Sequence, residues 1–235
     1  MNNARVALYF TPPPDHPLVV AAAAWLGRDA FGRRALPRGS VDGLGDGEVD
    51  DLTAAPRRYG FHATLKPPFR FAAGESPDSL HRALTAFAVP RPAITIPALA
   101  LSRIGPFFAL TPADDSAEVD ALAADVVRVF EPFRAAMTSE EIARRRPERL
   151  SARQRTYLET WGYPYVFDEF RFHMTLTGPV PVEHRDLLHA ALGQRFAAFL
   201  GQPLAIDALA LFVEPHPPGD FVVDARYALT PGAAG

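Results

Sequence analysis

The chain has 235 residues, 48% of them hydrophobic and 22% charged, with a formal net charge of −3. That length and composition suit a chain that buries its own core and exclude a disordered one, and the charge balance argues against a dedicated duplex-DNA binder, which is basic. Cysteine is absent, which excludes disulfides, thiolate metal sites and cysteine nucleophiles. The first residues lack a signal peptide's charged start and apolar stretch, and no apolar run approaches 18 residues, so a cytoplasmic protein that crosses no membrane is expected.

Arg5–Phe10 reads as a first strand stopped by Pro12, Pro13 and Pro14, and Leu18–Phe31 as an Ala-rich helix. Leu36–Pro56 reads as a glycine-rich acidic loop, and Tyr59–Phe71 as a strand turned at Pro67 and Pro68. Ser76–Ala88 has a helix start, with Ser76 as N-cap, Pro77 at the first position and Asp78 in the first turn. Two strands, Ala93–Leu101 and Pro106–Thr111, precede a helix over Asp114–Phe133. An arginine-rich helical stretch, Ser139–Thr160, is interrupted at Pro147. A strand (Val166–Leu176), a helix (Val182–Leu200) and two strands (Leu204–Val213, Phe221–Leu229) complete the chain.

The chain repeats itself. Phe61-His62-Ala63-Thr64-Leu65 recurs as Phe172-His173-Met174-Thr175-Leu176, Ala98–Leu101 recurs as Ala208–Leu211, and Ala109–Pro112 recurs as Ala228–Pro231. The separations are 111, 110 and 119 residues, in the same order along the chain. Between these marks both halves read strand, helix, strand, strand. The simplest account is a duplicated α+β fold: one bilobal domain over 1–235, with lobes at 57–135 and 164–231 and a helical insertion at 139–160. Two pseudo-symmetric antiparallel sheets would line a central cleft, with the helices outside.

Residues two apart in a strand share a face, so His62 points with Thr64, and His173 with Thr175. If the lobes meet about a pseudo-twofold axis, both pairs converge on one cleft. Imidazole titrates near neutrality, so one histidine can take a proton while the other gives one. Threonine hydroxyls can hydrogen-bond phosphoryl oxygens held between the rings. In-line hydrolysis of a phosphodiester needs that set: a base on the attacking water and an acid on the leaving oxygen. The same parity extended brings Lys66, the one lysine of the chain, Arg171 and Arg58 to the cleft side as phosphate-binding candidates.

These strings resemble the paired His-x-Thr/Ser-hydrophobic motifs of the two-histidine (2H) phosphoesterase superfamily. That superfamily includes cyclic phosphodiesterases and 2′-5′ RNA ligase-like proteins. The resemblance implies a bilobal α+β fold, catalytic His62 and His173, phosphate-binding Thr64 and Thr175, and no cofactor. The longer run Arg57–Phe69 is similar to a phosphonate-metabolism-associated branch. That branch implies a small cyclic phosphate as partner, with 5-phosphoribosyl 1,2-cyclic phosphate as the expected substrate. The alternatives are RNA-end processing and a non-catalytic RNA or nucleotide binder. No metal is expected: read as a calcium loop from Asp42, the acidic segment has Leu44 where an oxygen ligand belongs and Thr53 where a bidentate Glu belongs. The arginines of 139–160 read as a solvated helix face, with attraction of a polyanion as the second reading.

Overall fold

A strand whose residues alternate between two apolar surroundings must be covered on both faces. Arg5–Phe10 (β1) is such a strand: Val6, Leu8 and Phe10 enter the main core, while Ala7 and Tyr9 join a smaller cluster with Ala210, Phe212 and Phe221. The computed structural model describes residues 4–37 and 39–231.

After β1 come Pro17–Leu26 (α1), the short strands Arg28–Asp29 (β2) and Arg34–Ala35 (β3), and Asp46–Tyr59 (α2). Ala63–Phe69 (β4) leads to Pro77–Ala88 (α3), Ile94–Ile96 (β5), Leu99–Ile104 (β6), Phe107–Pro112 (β7) and Ala117–Val129 (α4). The inserted stretch holds Ser139–Arg144 (α5) and Ala152–Trp161 (α6). Met174–Thr175 (β8), Arg185–Arg195 (α7), Leu204–Ile206 (β9), Ala208–Glu214 (β10) and Val222–Ala228 (β11) follow.

The fold is α+β, and the pairings between the named strands are antiparallel. The two expected sheets meet edge to edge, forming a seven-stranded sheet in the order β11-β10-β1-β4-β8-β7-β6. The join is narrow, with Ala63 paired to Met174. Each hairpin lies beside the other repeat's histidine strand: β6–β7 pairs with β8, and β10–β11 is joined through β1 to β4. We propose the repeats at 57–135 and 164–231 as duplicated units with exchanged hairpins.

Among the expected elements that differ, three shape the surroundings of the histidine strands. Asp46–Tyr59 is a helix, within the span whose glycines predict a loop. Gly45 is its N-cap, Glu48 accepts from the Gly45 N–H at 2.8 Å, and Val49, Leu52, Thr53 and Pro56 form its buried stripe. The first helix stops at Leu26, because Gly27 takes a left-handed φ of 74° and closes it. The strand expected over Val166–Leu176 shrinks to Met174–Thr175. A 3-10 turn occupies Phe167–Glu169, and Tyr157 donates to Asp168 at 2.6 Å, tying that turn to α6.

Candidate active site

Phe61, Ala63 and Leu65, and likewise Phe172, Met174 and Leu176, are buried in the main core. Their alternates His62, Thr64, His173 and Thr175 therefore face away from it. The Ala63–Met174 pair lies at the local twofold axis of an antiparallel ladder. Continued one residue either way, that antiparallel register sets His62 toward Thr175 and Thr64 toward His173. The two histidines are then diagonal neighbours, a relation that places side chains roughly 7–8 Å apart at their base. The ladder itself thus supplies a two-fold arrangement of imidazole and hydroxyl.

Each ring is oriented by the same bond. His62 Nδ1 is 2.8 Å from the Gly60 carbonyl, and His173 Nδ1 is 2.8 Å from the Arg171 carbonyl. In each case Nδ1–H donates, which leaves Nε2 of the neutral ring as the proton acceptor. The Thr64 hydroxyl is 3.2 Å from His62 Nε2. Gly60 can present its carbonyl because it adopts φ 77° and ψ 174°, a region essentially reserved for glycine, and a Cβ there would lie 2.5 Å from the Ala30 Cβ. Tyr9 stacks on His62 with ring centres 3.9 Å apart, while His173 lies 5.8 Å from Phe107.

Burial pushes the His62 imidazole down to about 4; the bond to Gly60 opposes this and the nearby His173 adds to it. Burial also lowers His173, against its bond to the Arg171 carbonyl. Both rings are therefore neutral at pH 7 in the free protein.

His62, Thr64 and Thr175 line one cavity of about 280 Å³, with Phe107, the ring neighbour of His173, in its wall. No carboxylate is among the lining residues, and two arginines are: Arg5 and Arg145. Arg5 donates to Glu214 at 2.5 Å. Glu214 is fully buried and also accepts from Arg58 and from the Gly219 N–H. Burial alone would raise that carboxyl; the hydrogen bonds from Arg5, Gly219 and Arg58 outweigh it and hold it below the usual range. Among the described residues no group of three or more His, Asp or Glu side chains could hold a metal.

The three expected cationic candidates lie elsewhere. Lys66 is 1% exposed and donates to Glu131 at 2.7 Å and to the Val127 carbonyl at 3.3 Å, clamping β4 to the end of α4. Its parity is reversed by a bulge: Tyr9 pairs with Thr64 but Leu8 pairs with Lys66, so one extra residue of β4 flips the face between them. Arg171 contributes its carbonyl, while its exposed side chain lines a separate groove with Arg103 and Asp120. Arg58 is spent on Glu214 and on the Gly219 carbonyl at 2.8 Å. Arg5 and Arg145 went unassigned in the sequence because β1 and α5 reach the cavity only through long-range packing. Arg5 has the parity of Tyr9 along β1, which is a readable signal once Tyr9 is known to face His62.

Comparison with known proteins adds two kinds of likeness. The chain is 39% identical over 222 residues to a protein of Janthinobacterium sp. (strain Marseille) named ribose 1,5-bisphosphate phosphokinase PhnN, covering 93% of this chain and 49% of that one. A protein of the same name from Laribacter hongkongensis (strain HLHK9) is 36% identical over 218 residues, covering 90% and 48%. The chain thus spans about half the length of these relatives. Among solved structures, E. coli LigT complexed with phosphate covers 98% of this chain and 99% of its own at 12% identity and a TM-score of 0.43. E. coli LigT complexed with NADP+ covers the same shares at 13% identity and a TM-score of 0.45. A family described as "Protein of unknown function (DUF1045)" matches residues 64–222, and the chain belongs to that family.

Proposed function

We propose that this chain is a metal-independent phosphodiesterase that opens a small cyclic phosphate, and that its substrate is 5-phosphoribosyl 1,2-cyclic phosphate. The observation that carries the reading is the pairing of two His-x-Thr strings across one antiparallel ladder, beside an acid-free cavity that holds two arginines. His62 Nε2 takes a proton from water as the water oxygen attacks phosphorus. The bond from phosphorus to the leaving sugar oxygen breaks, and His173 gives that oxygen a proton. Thr64 and Thr175 donate to the non-bridging oxygens. His62, stacked against Tyr9 and pushed down by burial, keeps a neutral Nε2 and suits the base. His173 suits the acid, since an anion bound beside it favours its protonated form.

The relatives' name supports the substrate. Opening the cyclic ester at the ribose 2-oxygen yields ribose 1,5-bisphosphate, the compound on which the curated relatives are named to act. Those relatives are about twice as long, so a chain like this one fits beside a second unit that consumes its product. The one lysine of these 235 residues follows Leu65, and no GxxxxGK[ST] phosphate loop is present among them.

The aromatic walls, Tyr59, Phe107 and Tyr163, favour a second reading in which a nucleobase stacks there and the substrate is a 2′,3′-cyclic phosphate of a nucleotide or RNA end. The test compares kcat/KM, after chelator treatment, on the ribosyl cyclic phosphate, 2′,3′-cyclic AMP and RNA ending in a cyclic phosphate. The ribosyl compound is expected to lead by about tenfold or more. A lead of that size for the RNA would move the assignment to the second reading. Turnover of none of the three would make the chain a binder.

A further inference from the structure

The arginine-rich insertion is part of the cavity. Arg145, which caps α5, and Tyr163, which follows α6, both line the space that holds His62, Thr64 and Thr175. The Arg145 guanidinium lies over the Tyr163 ring, 5.3 Å from its centre. Its charge also acts on Tyr9, the ring stacked on His62.

Both residues are held in place from outside the cavity. Glu141 of α5 accepts from Arg70, at the end of β4, at 2.9 Å. Gly162, with φ 72°, packs against the Arg134 guanidinium, which donates to the Thr160 carbonyl at 3.2 Å.

Three neighbouring arginines have partners of their own. Arg144 faces Glu140 at 4.0 Å, Arg153 pairs with Asp168, and Arg155 donates to the Leu150 carbonyl at 2.8 Å. Arg145 makes no ion pair among the described residues. Arg5, the other cavity arginine, is answered by buried Glu214, so Arg145 is the cavity's uncompensated charge. An unpaired guanidinium held beside an apolar ring, with no carboxylate in the lining, fits a phosphate other than the one between the histidines.

We infer that Arg145, supported by Tyr163, is a specificity-determining residue that binds a second phosphate of the substrate, a terminal monoester carried on the sugar. This rests on the phosphodiesterase reading above and deepens it. A dianionic monoester is held more strongly there than a diester monoanion, because the attraction scales with charge. The site therefore selects phosphorylated sugar cyclic phosphates over bare ones.

The test measures the preference ratio, kcat/KM on 5-phosphoribosyl 1,2-cyclic phosphate divided by kcat/KM on ribose 1,2-cyclic phosphate, in wild type, Arg145→Gln and Arg144→Gln. Arg145→Gln is expected to lower the ratio about 10- to 100-fold, the worth of a charge-assisted hydrogen bond, through KM. Arg144→Gln is expected to keep the wild-type ratio. An unchanged ratio in Arg145→Gln, or an equal fall in both variants, overturns the inference. A dinucleotide ending in a 2′,3′-cyclic phosphate is the third substrate, and a loss confined to it would give Arg145 to an RNA diester and overturn the monoester assignment. If wild type opens neither sugar compound, the phosphodiesterase reading fails, and calorimetric binding of ribose 5-phosphate then decides the subsite. Binding that weakens about tenfold or more in Arg145→Gln sustains it, and no binding to wild type, or equal binding to both, refutes it.

Discussion

His62 and His173 occupy equivalent places in the same five-residue string, and each donates Nδ1–H to the carbonyl two residues earlier. Around His62 the wall is built from Tyr9, Tyr59 and Phe212. Around His173 the ring contact among the described residues is Phe107. His62 enters a strand of seven residues, His173 one of two. A shared motif thus fixes which atom faces the anion, and the long-range packing sets how readily that atom takes a proton. This is how two copies of one sequence can serve as unlike partners in a reaction.

Removing either ring is the hardest blow to that comparison. His62→Ala and His173→Ala are each expected to lower kcat by about 10²–10⁴-fold. The double variant is expected to lose much less than the product of the two, since they act on one transition state. Full activity in either single variant would place the proton chemistry elsewhere. Gly60→Ala tests the orienting carbonyl on the His62 side. Its positive φ and its approach to Ala30 predict a stability loss of about 1–3 kcal/mol, read by denaturant unfolding, together with a fall in kcat. Lys66→Met removes a charged clamp on the core face: about 1.5–3 kcal/mol of stability is expected to go, with KM for the cyclic phosphate held. A selective rise in KM would return Lys66 to the cleft. The smallest effect is expected from Arg171→Ala, which keeps the carbonyl that holds His173. About 0.5 kcal/mol or less in stability, and roughly a twofold change in kcat, would accord with a side chain directed into the other groove.

Much of this asymmetry was out of reach of the sequence. The parity of His62 with Thr64, and of His173 with Thr175, depends only on local strand period, and the core-facing Phe61, Ala63, Leu65 and their repeats are legible for the same reason. Local parity puts Lys66 on the cleft side, and the bulge that reverses it is a property of the pairing between β1 and β4 that leaves no mark in HATLK. The helix Asp46–Tyr59 was hidden by its glycine-rich lead, although Val49, Leu52, Thr53 and Pro56 carry a helical spacing. Arg5 and Arg145 are brought to one cavity by elements 140 positions apart in the chain, a relation local reading does not contain.

The pH dependence carries the comparison into solution. The unfolded chain protonates its histidines near 6.5, whereas folded His62 resists until about 4, so acid favours the unfolded state across that window. Stability is therefore expected to fall as pH drops from about 6.5 to about 4, with lowered His173 acting in the same direction. For the reaction, His62 must be neutral and His173 protonated, which sets the optimum of kcat/KM on the acid side of pH 6.5.

The most direct measurement is an NMR titration of the two imidazoles, each assigned by its alanine variant, with and without inorganic phosphate. The expected result is that His62 titrates near 4, that His173 is lowered from its ordinary value by burial, and that phosphate shifts both rings with one saturation curve. Titration of His62 at or above 6.5, or a phosphate response from one ring alone, would contradict a single site shared by two buried histidines.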